Sequence, residues 1–142
     1  MIIRTVQEKD AKEVSQLSGQ LGYPSSVEKT IETIRRINAD NYQIIFVAEL
    51  DGTVVGWIQL QKKFLLIAEP FTEIVGLIVD EKHRGKSIGR SLVQECIRWT
   101  KQENIHKIRV KSNITRDESH EFYKTIGFRE VKTQKVYDRE VE

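Results

Sequence analysis

Residues 79–90 read VDEKHRGKSIGR, and the fold and chemistry of the chain are best approached from this stretch. An apolar segment ends at Val79, a turn containing Gly85 follows, and a helical pattern begins at Ser87. A helix start leaves backbone N–H groups without acceptors and carries a partial positive charge, which favours an anion such as phosphate. The stretch therefore predicts a phosphate site, although a solvated basic turn before an ordinary helix fits the same residues. Four basic side chains belong to it: Lys82, Arg84, Lys86 and Arg90.

Two widespread phosphate-binding motifs do not fit this turn. The triplet Gly85-Lys86-Ser87 resembles the end of a nucleotide P-loop, but position 80, where that motif has its first glycine, is Asp. Without that glycine the loop cannot wrap the β-phosphate. The G-x-G-x-x-G pattern of dinucleotide-binding folds does not occur in the sequence either.

Hydrophobic periodicity on both sides of the turn predicts a mixed sheet covered by helices. Apolar positions three and four apart predict helices over residues 11–21, from Ser25 or Ser26 to residue 37, over 87–102, and from Thr115 to residue 126. Apolar runs bounded by turn residues predict strands over 2–5, 43–50, 53–61, 71–79, 106–111 and 128–140. The order is β-α-α-β-β-β-α-β-α-β, which is typical of an α/β (α+β) domain.

Short local signals fix several of the connections. Asp51-Gly52 is a two-residue hairpin signal between the second and third strands. Ser25 with Glu28 fits a capping box at the start of the second helix. Gly127 is placed to end the last helix in a left-handed conformation, with Phe128 folding back onto its last turn.

The composition indicates one globular domain. The chain has 142 residues, 39% of them hydrophobic, and a formal net charge of only +2, whereas nucleic-acid binders usually show a strong basic excess. No apolar run approaches the ~18 residues of a membrane span, and the N-terminus lacks the apolar region of a secretory signal. The single cysteine, Cys96, excludes an internal disulfide. We therefore expect a cytoplasmic protein that binds neither nucleic acid nor membrane.

Two motifs give a more specific indication. The run Arg84-Gly85-Lys86-Ser87-Ile88-Gly89 resembles the acetyl-CoA signature R/Q-x-x-G-x-G/A of the GNAT superfamily of N-acetyltransferases, with Ser87 in place of its first glycine. Residues 122–128, FYKTIGF, look like the family's F-Y-x-x-x-G-F segment. The resemblance implies a single GNAT domain over residues 1–142. Its expected core is a mixed, mostly antiparallel sheet of six or seven strands flanked by about four helices.

The resemblance also implies the reaction and the position of the donor. It implies acetyl transfer from acetyl-CoA to a primary amine of a small molecule or protein, by direct attack in a ternary complex and without a metal. The CoA arm would lie along the strand before the turn, with the Leu77 N–H as oxyanion donor, and the phosphates would lie on the turn. The cofactor-binding residues expected on this basis are Leu77, Ile78, Val79, Arg84, Gly85, Lys86, Ser87, Ile88, Gly89, Arg90 and Asn113. The hydroxyl of Ser87 could cap the helix or reach a phosphate.

Two side chains are candidates for catalysis. Glu73 resembles a general-base glutamate of the family; the alternatives are that it faces solvent or binds a cationic substrate, and Glu69 and Glu49 are weaker candidates. Tyr123 is the candidate acid for the leaving thiolate, or else an amphipathic tyrosine packed at the surface. The three histidines show no metal spacing and Cys96 fits a helix core.

The sequence is compatible with other functions. The same fold without turnover would be a non-catalytic acyl-CoA-binding module, and the presence of both Glu73 and Tyr123 favours the enzyme. The acceptor amine is not fixed by the sequence, although Glu28, Glu69 and Glu73 together would suit a cation. The resemblance is also compatible with a homodimer.

Overall fold

The computed structural model describes residues 1–113 and 115–142. These form two compact units, residues 1–111 and 112–142. The first holds a sheet with three helices, and the second holds one helix followed by a segment without regular secondary structure.

One five-stranded sheet organises the first unit. Its strands lie side by side in chain order: β1 (Ile2–Thr5), β2 (Gln43–Leu50), β3 (Thr53–Lys63), β4 (Phe71–Val79) and β5 (Ile108–Val110). The first four are antiparallel neighbours, and β5 pairs with β4 in parallel. The hairpin between β2 and β3 turns at Asp51 and Gly52, both with positive φ (50° and 81°), as a primed two-residue turn requires. The hairpin prediction is confirmed.

Helices cover both faces of this sheet. The helices are α1 (Ala11–Gln20), α2 (Val27–Asn38) and α3 (Ile88–Gln102). Trp57 on β3 packs against the core that α1 and α2 contribute to, whereas a Cβ on its neighbour Gly56 would lie 3.3 Å from Leu92 of α3. Since successive strand residues point to opposite faces, α1 and α2 lie on one face and α3 on the other.

The second unit contains α4 (Asp117–Thr125) and its cap. The Gly127 N–H donates to the Lys124 carbonyl at 3.1 Å, and the Phe128 N–H donates to the Tyr123 carbonyl at 2.9 Å. Gly127 has a φ of 102°, so the helix ends in the predicted left-handed cap.

Two local predictions are wrong. The N-cap of α2 is Ser26, whose hydroxyl accepts from the Lys29 N–H at 3.1 Å, so the Ser25–Glu28 capping box does not form. The helix α4 begins at Asp117 rather than Thr115, because the Asn113 side chain accepts the Thr115 N–H and hydroxyl in a preceding turn.

The strand count is also lower than the six or seven expected. Residues 128–142 carry no strand, so the described sheet has five strands. A strand needs a neighbour to satisfy its backbone, and this segment is exposed and highly charged. The class, a mixed α/β fold with four helices, is as predicted.

Candidate functional site

The basic turn is anchored at its start by Asp80. This carboxylate accepts from Gln20 at 3.1 Å and contacts the His83 ring at 3.0 Å. The hydrogen bond from Gln20, with further bonds from His83 and the Lys82 N–H, holds the pKa of Asp80 below its usual range. Gln20 also accepts the Glu81 N–H at 3.1 Å. The end of α1 therefore fixes the position of the turn.

The helix start after the turn offers unoccupied donors. The first helical bond runs from the Ser91 N–H to the Ser87 carbonyl at 3.1 Å, so the N–H groups of Ile88, Gly89 and Arg90 precede any helical acceptor. Among the described residues the Ser87 side chain makes no cap bond, and the expectation that its hydroxyl caps the helix is wrong. These donors, with the positive end of a 15-residue helix, suit a phosphate.

The signature position occupied by Ser87 has a conformation suited to glycine. Ser87 has φ 61° and ψ 20°, in the left-handed region, and Gly85 before it also has positive φ, at 80°. The left-handed region is open to glycine and strained for most other residues. A glycine at position 87, as in the signature, would adopt this backbone conformation without strain, whereas Ser87 is strained in it.

The strand leading into the turn is bulged and open along one edge. Ile74 pairs with Leu60 and Gly76 with Gln59, so Val75 is an extra residue in β4 and forms a β-bulge. Pairing to β5 extends only from Thr72 to Ile74. Within residues 1–111, the outer edge of β4 from Val75 to Val79 therefore has no neighbouring strand. Leu77, Ile78 and Val79 lie on this edge and run directly into the turn.

Gly76 is required by close packing. A Cβ at this position would lie 2.8 Å and 2.9 Å from two ring atoms of Trp57. The indole thus occupies the space that a side chain would need, and its Nε1 is buried without a hydrogen-bond partner among the described residues.

Glu73 is buried in the sheet rather than facing solvent. It is 7% exposed, and Lys111 Nζ lies 3.6 Å from its Oε1. Its register partner Arg109 lies instead over the ring of Phe71, 4.4 Å from the centroid. The solvent-facing alternative for Glu73 is therefore wrong. The cation beside Glu73 in the structure is Lys111, and the roles of Glu73 as a base or as a ligand of a cationic substrate stay predictions.

The other two carboxylate candidates have different surroundings. Glu49 is paired with Arg4 at 3.1 Å, and Glu69 lies exposed in the loop after β3. Glu73 is the only one of these three candidates that is both buried and on β4, the strand that leads into the turn.

A cluster of three glutamines, of which Gln61 is the register neighbour of Glu73, was missed by sequence reasoning. Gln61 faces Glu73 across β3 and β4, and Gln43 faces Gln61 across β2 and β3. Gln43 Oε1 accepts from Gln59 at 2.9 Å and from Gln61 at 3.1 Å. The alternation of polar residues at 59 and 61 was the available signal.

Tyr123 and Asn113 belong to the second unit and are described within it. The Tyr123 ring packs edge-on against Phe122 and Phe128, with centroids 5.1 Å and 5.6 Å apart. Burial raises the pKa of Tyr123 to about 12. Asn113 accepts the Thr115 N–H at 3.1 Å through its side-chain oxygen, so that atom is already used in a turn.

Other reactive groups have structural surroundings. Cys96 is buried on α3, and burial raises the pKa of its thiol. In the described part of the chain, no three His, Cys, Asp or Glu side chains are grouped so that they could hold a metal ion. None of the described helices has the length and apolar character needed to cross a membrane.

Residues 12–128 match the family model of the acetyltransferase (GNAT) family. The chain is 30% identical over 100 residues to an N-alpha-acetyltransferase of Sulfurisphaera tokodaii, covering 65% of this chain and 60% of that protein. It is 25% identical over 132 residues to the glucosamine 6-phosphate N-acetyltransferase of Arabidopsis thaliana, covering 87% of each. An uncharacterised N-acetyltransferase of Methanocaldococcus jannaschii is 29% identical over 98 residues, 68% of this chain. The alignments span 43% of the M. jannaschii protein and 60% of the S. tokodaii protein.

Solved structures share the fold at low sequence identity. An aminoglycoside antibiotic 6'-N-acetyltransferase from Acinetobacter haemolyticus is similar with a TM-score of 0.87 and 18% identity over 100% of both chains. An aminoglycoside N-acetyltransferase in complex with CoA has a TM-score of 0.87 and 16% identity, over 99% of this chain and 95% of that one.

Proposed function

Because this chain belongs to the acetyltransferase (GNAT) family, we propose that it transfers an acetyl group from acetyl-CoA to a primary amine by direct attack in a ternary complex. The observation that carries the proposal is the helix start at Ser87. Its N–H groups without helical acceptors follow the basic turn and a strand that, within residues 1–111, has an open edge. The family match spans residues 12–128 and so includes parts of both compact units. We therefore propose that they belong to one acetyltransferase domain.

The donor would be held by the open strand edge and the turn. The arm of CoA has amide groups that can pair with the backbone of Leu77, Ile78 and Val79. Its phosphates would accept from the N–H groups of the turn and helix start and would be balanced by Arg84, Lys86 and Arg90. In this proposal Ser87 contributes its backbone N–H, and its hydroxyl, which makes no cap bond, donates to a phosphate as well. Asn113 is proposed to contact the CoA arm.

The chemistry needs a proton acceptor for the amine. A primary ammonium with a lysine-like pKa is protonated at neutral pH and is not nucleophilic until it loses a proton. Glu73 is proposed as that acceptor, because it is a buried carboxylate that already associates with the ammonium of Lys111. The amine nitrogen then bonds to the thioester carbon, and the oxyanion that forms is stabilised by the Leu77 N–H.

Collapse of this intermediate breaks the C–S bond and releases the CoA thiolate. Tyr123 is proposed to protonate that thiolate. With a pKa of about 12 its phenol is protonated throughout the physiological range, as a proton donor must be. After the attack the nitrogen still carries one proton more than the amide product, and this second proton restores the Tyr123 phenol. Overall the reaction therefore releases only the proton that Glu73 accepted from the ammonium.

The acceptor is proposed to be a primary amine on a small molecule or a protein. The S. tokodaii and A. thaliana relatives are named for acetylation of an N-terminal amine and an amino sugar phosphate, both of which carry primary amines.

The proposed function is tested by thiol release. The protein is incubated with acetyl-CoA and a panel of primary amines that includes peptides, amino sugars and polyamines, and free CoA thiol is followed with time. We expect amine-dependent release, with acetylated product detected by mass spectrometry. Tight CoA binding in calorimetry without release on any amine would instead identify a non-catalytic acyl-CoA-binding module.

A further inference from the structure

A chain of side-chain amides crosses the sheet beside Glu73. Asp40 Oδ2 accepts from Gln43 Nε2 at 2.8 Å. Gln43 Oε1 then accepts from Gln59 Nε2 at 2.9 Å and from Gln61 Nε2 at 3.1 Å. All four side chains are partly buried, so these bonds are sheltered from water.

Asp40 sets the direction of every amide in this chain. An ionised carboxylate only accepts hydrogen bonds, and bonds from the Tyr42 N–H and from Gln43 hold the pKa of Asp40 below its usual range. Gln43 must therefore present its NH₂ to Asp40 and its oxygen to the other two glutamines. They in turn must present their NH₂ to Gln43, which leaves the oxygens of Gln59 and Gln61 without donors among the described residues.

We call this hydrogen-bonded chain the amide relay; its members are Asp40, Gln43, Gln59 and Gln61. We propose that the amide relay makes the sheet surface beside Glu73 a binding site for a primary ammonium group, which donates to the oxygens of Gln59, Gln61 and Glu73. The inference rests on the proposed function, since it assigns the face on which the acceptor amine is held. An ammonium has three N–H donors and no acceptor, which suits a surface of oxygens. Asp40 is a positioning residue in this arrangement because it acts through Gln43.

The chain itself supplies an ammonium at this surface. Lys111 Nζ lies 3.6 Å from Glu73 Oε1, and the lysine side chain is 62% exposed. Because the Lys111 side chain is exposed, its ammonium can return to water, and an incoming ammonium that replaces it keeps the buried Glu73 carboxylate paired.

The test reverses the direction of the hydrogen bonds in the relay by replacing one carboxylate oxygen of residue 40 with an NH₂ group. In Asp40→Asn, the amide oxygen can still accept from the Tyr42 N–H, which keeps the local turn, while an NH₂ group faces Gln43. Gln43 must then rotate its oxygen toward position 40 and its NH₂ toward Gln59 and Gln61. Those two glutamines respond by presenting NH₂ groups to the ligand. The surface then repels N–H donors.

Two matched variants separate this effect from loss of charge or of folding. Glu32→Gln removes one negative charge from the exposed face of α2 and leaves the relay intact. The double variant Asp40→Asn with Gln43→Glu restores a carboxylate that accepts from Gln59 and Gln61, with the same total charge as the parent. It should therefore recover binding.

The probe is n-butylammonium chloride, followed through the side-chain amide resonances of Gln59 and Gln61 by NMR. Tetramethylammonium chloride serves as a cation without N–H donors. We expect saturable shifts with butylammonium in the parent, Glu32→Gln and the double variant. We expect affinity at least about fivefold weaker in Asp40→Asn and for tetramethylammonium, as loss of one or more hydrogen bonds implies.

Equal butylammonium affinity in Asp40→Asn and Glu32→Gln would overturn the relay, and so would equal binding of the two cations. Because these measurements use no acetyl-CoA, they separate the two proposals. Amide shifts without thiol release on any amine would contradict the proposed function and would still support the ammonium-binding surface.

Discussion

Ser87 holds a backbone conformation that glycine adopts more easily, so Ser87→Gly is expected to stabilise the protein. Its φ is 61°, and a left-handed conformation costs a residue with a Cβ roughly 1–2 kcal/mol. Against this, ordering a glycine on folding costs about 0.4–1 kcal/mol more conformational entropy than ordering a residue with a Cβ. The side chain is exposed and makes no cap bond, so little else changes. The net gain is about 0.5–1 kcal/mol.

The assay is urea unfolding of three variants. With a slope of about 2 kcal/mol per molar urea, this gain moves the Ser87→Gly midpoint up by about 0.3 M. Ser87→Ala removes the hydroxyl and keeps the strain, so its midpoint should stay near that of the parent. Gly85→Ala is the converse change, because Gly85 has a φ of 80° with open space around a Cβ. It should lower the midpoint through strain alone.

Equal stabilisation by Ser87→Ala and Ser87→Gly would refute backbone strain at position 87, since the hydroxyl rather than the backbone would then be responsible. A lower midpoint for Ser87→Gly would refute it as well. Calorimetric titration with CoA extends the test to the site. Glycine at position 87 permits closer approach of a phosphate, so CoA should bind more tightly to Ser87→Gly than to Ser87→Ala.

Three further predictions concern the sheet and the catalytic candidates. Glu73→Gln should lower kcat for thiol release by about 10²-fold or more, with unchanged CoA affinity. The control Glu69→Gln changes an exposed side chain and should behave as the parent. Equal kcat values for Glu73→Gln and the parent would show that Glu73 takes no part in the reaction. Tyr123→Phe should lower kcat more than CoA affinity. Since the pKa of Tyr123 is raised to about 12, the parent should lose no activity through phenol ionisation below about pH 11; an alkaline loss near pH 9 that Tyr123→Phe abolishes would contradict this. Gly76→Ala should destabilise by about 1–3 kcal/mol, as overpacking against Trp57 does, and an unchanged urea midpoint would show that the indole moves aside freely.

The parts of the fold predicted well from the sequence depend on neighbouring residues. The Asp51-Gly52 turn and the Gly127 cap each follow from the ability of a few residues to adopt positive φ, and both are present. The helix start after residues 84–87 follows from the local pattern of a strand, a glycine and a helical periodicity in the same way, whereas phosphate binding there stays a proposal.

The parts predicted poorly depend on pairing between distant residues. Whether residues 128–140 form a strand depends on an available partner, which local periodicity does not report. The amide relay requires that residues 43, 59 and 61 meet across two strands, which needs the register and not only the alternation. The strain at Ser87 was likewise invisible, since a residue name does not state its φ.

The bulge at Val75 affects which molecules can pair with the free edge of β4. Within residues 1–111, the β4 edge from Val75 to Val79 has no strand partner, and an unpaired strand edge can pair with a strand of another molecule and favour aggregation. An extra residue twists the strand and disrupts the regular spacing of its donors and acceptors, so a straight foreign strand pairs poorly there. A short flexible ligand has no such requirement for register, so we expect the irregular edge to disfavour a polypeptide strand more than a ligand of that kind.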